Sequence, residues 1–226
     1  MTRTPLSKRL LPAYTRGEEI ANMTTHIVGG AIGLIVLGIA ISVSLEKNSV
    51  WSLISGIIYA CSMITLYTVS SVYHGLRAER KEKAKKVMQV LDHCTIYFLI
   101  AGTYTPILLV SMRPEHALIS WIVFIAEWAT SAVAMVFTAI DHKRYSVFSM
   151  ICYISLGWMI IFTLRPAVET IGTAGFWWLL AGGISYTLGA ALYIIGKKRP
   201  ILHTVFHVFV VIGSALQAFC VLGFVL

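Results

Sequence analysis

Charge is what this sequence has least of. Asp, Glu, Lys and Arg make up 12% of its 226 residues and hydrophobic types 58%, whereas a soluble domain is about a quarter charged. That scarcity excludes an ordinary soluble chain and leaves an integral membrane protein, for which lipid permits only helices or a closed barrel. The short alternating segments of a barrel are missing; the apolar runs are long and uninterrupted, as spanning helices require. Cysteine is scarce too. Cys61, Cys94, Cys152 and Cys220 show no CxxC spacing and all lie in apolar runs, so they read as small buried hydrophobes rather than a disulfide framework. Met1 to Arg16 has basic residues, Pro5 and Pro12 but no apolar core, which argues against a cleavable signal peptide. Repeats and low-complexity tracts are lacking, and no loop is long enough for a second domain.

What is present is a set of seven apolar runs, at about 25–45, 50–74, 87–111, 117–140, 147–165, 173–195 and 201–224. The expected fold is all-α: one seven-helix membrane domain over 1–226, with 1–24 as a basic leader and interfacial segment along the membrane surface. A cytoplasmic N-terminus puts Arg3, Lys8, Arg9, Arg16, the basic residues of 77–86, Lys143, Arg144, Lys197, Lys198 and Arg199 on one side. Only Lys47, Arg113 and Arg165 are left for the other. The positive-inside rule then holds at every loop, with the C-terminus outside. The net charge of +8 is therefore topology rather than nucleic-acid binding, and anionic lipid headgroups are the expected contact. A multi-pass protein of the inner (plasma) membrane is the expectation. Oligomeric state is not set by any feature of the sequence.

Polar residues within such spans are costly and mark sites. His203 and His207 stand four apart, on one helix face, at the head of the last run. His74 ends the second run, with Ser70 one turn deeper on the same face, and Asp92 begins the third. With seven spans these residues share a depth, and they converge if spans 2, 3 and 7 are neighbours. Each has a blander reading: histidines bonding neighbours at helix ends, and Asp92 stabilising a helix N-terminus. His93 lies about 100° around the helix from Asp92, so the two are not expected to face one point. Asn22 and His26 share a helix face, with capping or interface polarity as the plain alternative. Glu127 lies mid-span, too deep for this cluster. Pro106 should kink its helix, and residues 77–86 read as a charged, solvated loop.

Three histidines with an open position make the ligand set of a catalytic zinc site. A nearby carboxylate, here Asp92, is then placed as general base and acid, and Ser70 to hydrogen-bond the water or a developing oxyanion. The HxxxH pattern lacks the glutamate of HExxH.

Four motifs together resemble the hemolysin III family, bacterial relatives of the progestin and adipoQ receptors, which include the adiponectin receptors. They are Glu19-xx-Asn22-xx-Thr25-His26, Ser70-xxx-His74, Leu91-Asp92-His93 with Ala101 to Pro106, and His203-xxx-His207. The resemblance runs from about residue 14 to the C-terminus. It implies a seven-helix fold with cytoplasmic N-terminus, zinc held by His74, His203 and His207, and Asp92 near the metal-bound water. In the adiponectin-receptor branch such a site looks like that of a lipid amidase acting on ceramides; that substrate is not expected to carry over to the bacterial branch. Three functions are thus set out: a zinc-dependent hydrolase of a membrane lipid amide or ester, a membrane-state sensor with structural zinc, and a cytolysin. Seven stable spans without a secretable amphipathic segment argue against the last. Inverted repeats, the mark of many transporters, are not visible.

Overall fold

The computed structural model describes residues 4–196 and 199–226. Arg3, Lys197 and Lys198, counted above with one membrane side, lie outside them. Among the described residues the chain is helical, with no strand. Helix α1 (Arg16–Glu46) starts well before the apolar run because Thr15 and Glu18 form a capping box. The Thr15 hydroxyl accepts from the Glu18 amide, and the Glu18 carboxylate accepts from the Thr15 amide. Asn48, in the left-handed region at φ 49°, turns the chain into α2 (Val50–Gly75), which Ser49 caps. Then follow α3 (Ala78–Pro106), α4 (Ala117–Asp141), α5 (Ser146–Gly157), α6 (Leu164–Gly196) and α7 (Ile201–Cys220).

Six helical stretches are long and apolar enough to cross a membrane: Arg16–Glu46, Val50–Gly75, Ala78–Met112, Ala117–Asp141, Ser146–Gly196 and Ile201–Val225. The chain is a multi-pass helical membrane protein. Large apolar side chains such as Leu34, Ile35, Leu118, Ile125 and Phe162 point outward, as expected where lipid is the solvent. The fifth stretch covers both the fifth and sixth apolar runs. It is interrupted by a 3₁₀ segment, Met159–Thr163, and by Gly172, whose backbone (φ 70°, ψ 164°) leaves helical geometry.

One local expectation changes, and two gain detail. The segment 77–86 is helix rather than loop, with a kink at Lys81 (φ −140°, ψ 45°), and it buries Lys85 and Lys86. At Pro106, the expected kink position, the ladder widens to π geometry over Ile107–Met112, where the Arg113 amide reaches the Leu108 carbonyl. The leader, expected at the membrane surface, is tied to the bundle. It folds across the helix ends, where the Thr4 amide donates to Asp141, the Arg9 guanidinium to the Ile140 carbonyl at 2.6 Å, and the Lys86 ammonium to the Ser7 carbonyl. Arg9 is thereby buried.

Sequential helices pack side by side, and α7 closes the bundle by packing against both α6 and α1. The fully buried Tyr67 of α2 joins α7 from inside, its hydroxyl 2.6 Å from Ser214 Oγ. This closure brings the last helix to the end of the second.

Candidate metal centre

His203 and His207 occupy the first two turns of α7, one helical turn apart on the inward face, and their Nε2 atoms meet at 3.0 Å. His74 comes from the last turn of α2. One ligand nitrogen from each of the three lies within 4.8 Å of the others. Two nitrogens on a tetrahedral zinc, each bound at about 2.0–2.1 Å, stand about 3.3 Å apart. Three buried imidazoles this close therefore fit the donor set of zinc with one position open.

The second nitrogen of a ligating histidine normally bonds a carboxylate or carbonyl, which fixes its tautomer. His74 shows that arrangement. Its Nδ1–H donates to Glu19 Oε2 at 2.6 Å, while Nε2 has no protein partner among the described residues. Glu19 is held in turn by the buried Lys85 ammonium at 2.5 Å, which also donates to the Leu76 carbonyl. Asn22 Nδ2 stands 3.5 Å from the same His74 nitrogen. Tyr14, just before α1, stacks on His203 with ring centroids 5.0 Å apart. Burial, chiefly, and the neighbouring Tyr193, Glu19 and Asp92 push its phenol well above the ordinary value, so Tyr14 is a neutral hydroxyl at the mouth of the site.

His203 and His207 form part of the wall of a cavity of about 170 Å³. Ser70 and Asp92 also border it, so four of the five residues singled out in the sequence line this space, from α2, α3 and α7; His74 is not in the lining but stands beside His203 and His207. Asp92 is not at a helix start: α3 begins at Ala78, and the helix dipole acts only over the first turn. That bland role is removed. His93 borders the cavity as well as Asp92, the space being broad enough to be lined by both although they stand about 100° apart around the helix. His93 Nδ1–H donates to the Gln89 carbonyl at 2.8 Å and Nε2 faces Tyr193. Deeper, the lining is apolar, with Leu66, Leu99, Ile107, Leu179 and Val210, ending at Gln217. Glu127 is fully buried, away from this lining, with both oxygens unpartnered among the described residues.

The sequence did not single out Tyr14 or Lys85, and it left Glu19 and His26 without a role. The spacing Glu19, Asn22, His26 (i, i+3, i+7) is one helix face; that signal was present, but which neighbour the face meets depends on α1 docking beside α7.

The profile of the family described as "Haemolysin-III related" matches residues 14–218. "Hemolysin-3" of Bacillus cereus is 36% identical over 209 residues, 92% of each chain. The "Hemolysin-3 homolog" of Bacillus subtilis (strain 168) is 35% identical over 209 residues, 92% of this chain and 95% of its own. The human "Monocyte to macrophage differentiation factor" is 27% identical over 225 residues, 97% of this chain and 88% of its own.

Proposed function

The chain belongs to the Haemolysin-III related family, and from that premise we propose that it is a seven-helix zinc-dependent hydrolase cleaving an amide or ester of a membrane lipid at the cytoplasmic side. The observation that carries this reading is the convergence of His74, His203 and His207 beside a cavity that His203 and His207 help to line and that is apolar along most of its length. A structural zinc needs a closed ligand set, whereas three histidines leave one place for a reactant. A long apolar slot beside it suits an acyl chain.

Zinc, when bound, supplies Lewis acidity to a water and to a carbonyl oxygen. Asp92 takes the proton that water loses as it adds to the carbonyl carbon, then returns it to the departing nitrogen or oxygen as the C–N or C–O bond breaks. The products are a carboxylic acid and an amine or alcohol. Ser70, whose hydroxyl is buried and unpartnered among the described residues, donates to the reacting oxygen. Glu19 and Lys85 hold His74 in the tautomer that turns Nε2 to the metal.

Seven crossings follow if the 51 residues of Ser146–Gly196 pass the membrane twice. At 1.5 Å per residue they measure about 76 Å, more than twice a hydrocarbon core of about 30 Å, and Gly172 supports a reversal there. Arg9, Arg77, Lys85, Lys86, Lys143 and Arg199 then share the histidine end, which favours that end as cytoplasmic.

Metal analysis of detergent-purified protein tests the reading. About one zinc per chain is expected, absent from the His203→Ala/His207→Ala double variant. Asp92→Asn should keep the zinc and lose turnover of labelled lipid amides and esters. A folded, monodisperse wild type without zinc would sink the proposal.

A further inference from the structure

We propose that His26 is a carbonyl-binding residue of this site, its ring N–H donating to the carbonyl oxygen of the lipid amide or ester; the inference rests on the hydrolase reading above. His26 sits on α1, is 4% exposed, and borders the cavity with Ser70 and the α7 histidines. Neither Nδ1 nor Nε2 has a hydrogen-bond partner among the described residues. A buried imidazole left bare at both nitrogens is costly, so it needs a partner that the protein does not supply.

The neighbours show that this partner is a ligand in the cavity. Along the same face of α1, the Glu19 carboxylate accepts from His74, and Asn22 makes no hydrogen bond to His26. Tyr67 meets the His26 ring edge-on, at 5.0 Å and 83°, but its hydroxyl is committed to Ser214 Oγ. His207 lies face-on, with centroids 3.8 Å apart and planes at 23°. Near-parallel stacking directs the His26 nitrogens past His207 in their own plane, and His26 is not in the three-nitrogen group. It is therefore beside the metal site without being one of its ligands. Ser70 Oγ, buried and equally unpartnered, borders the same space from α2. Two donors from two helices, next to a Lewis acid, are the arrangement that holds a polarised carbonyl oxygen.

The test uses the full chain loaded with zinc, and dodecanohydroxamic acid as probe. This molecule carries a carbonyl and a zinc-binding group on an acyl chain. His26→Phe keeps the ring, the stack and the volume but removes both nitrogens; His26→Gln restores a donor. Zinc content is measured first, then the Kd for the probe by calorimetry. The expected result is wild-type zinc in both variants, with binding weakened about ten- to a hundredfold in His26→Phe and mostly regained in His26→Gln. Unchanged probe binding by zinc-loaded His26→Phe would overturn the role, while the metal centre stood. Loss of zinc in both variants would also overturn it, making His26 part of the ligand shell. A wild type free of zinc would instead remove the hydrolase reading, and this inference with it.

Discussion

Lys85 shows how far a single residue's meaning depends on where its helix begins. In a solvated loop it would be one more basic residue; inside α3 it is buried, and its ammonium fixes Glu19 against His74. Glu19→Gln removes the charge that Lys85 and the His74 N–H both use, and partners of ligating histidines are typically worth ten- to a hundredfold in metal affinity. Zinc affinity, read by competition with a chromophoric chelator, should fall by about that factor; Glu82→Gln, which removes the exposed partner of Lys86, should leave it unchanged. A second residue predicts a pH dependence. His142, just past α4, is pushed down to about 4 by burial first and then by His93 and Arg9. Its folded pKa lies below the unfolded value of about 6.5, so its stabilising contribution is complete above pH 6.5 and declines as pH falls towards 4. Melting temperature in detergent should drop across that window, and His142→Asn should make the drop shallower. An equally steep decline in the variant would show that other groups govern it.

Among the helices, α1 makes the site possible, and one glycine lets it approach. A Cβ at Gly29 would run into the Tyr67 ring, and that ring is fully buried and joined to α7 through Ser214. Gly29→Ala should therefore cost about 1–3 kcal/mol, the usual penalty of overpacking, seen as a lower melting temperature in detergent. A wild-type melting curve would mean that α1 tolerates a shift away from α2. The same contact explains what the sequence could and could not say. His203 and His207 were legible as a pair because helical spacing alone puts them on one face, and His74, Ser70 and Asp92 because polar groups are rare in apolar runs. Tyr14 and His26 were not, because their roles come from the α1 end docking beside α7, at opposite ends of the chain, and Glu19 was not, because its partners His74 and Lys85 lie on α2 and α3. Helix starts were the weakest reading: capping by Thr15, and the polar first turns of α3, extend helices beyond the hydropathy on which the span limits were drawn.

For the whole molecule, the arrangement in the membrane decides whether the histidine end faces the cytoplasm. Basic residues cluster at that end, the distribution expected of a cytoplasmic side because moving them across the bilayer during insertion is unfavourable, and the buried Arg9 and Lys86 show that some of them also fasten the leader to the helix ends. An odd number of crossings requires Ser146–Gly196 to turn back near Gly172. At φ 70° and ψ 164° this residue adopts a conformation open essentially to glycine alone, and Thr173 and Ala174 beside it are exposed. Single cysteines in a variant with its four native cysteines replaced by alanine make the topology measurable. In intact cells a membrane-impermeant maleimide should label Glu115→Cys and Thr173→Cys. Lys83→Cys and Lys143→Cys should react only once the membrane is opened. Labelling of both members of the first pair, with protection of both in the second, requires a crossing between residues 143 and 173, ahead of the apolar run that follows Thr173, and places the metal centre at the cytoplasmic face. Protection of Thr173→Cys while Glu115→Cys reacts would mean instead that the stretch crosses once or folds back within the lipid. Seven crossings would then be wrong, whereas the three-histidine cluster, built from α2 and α7 alone, would stand.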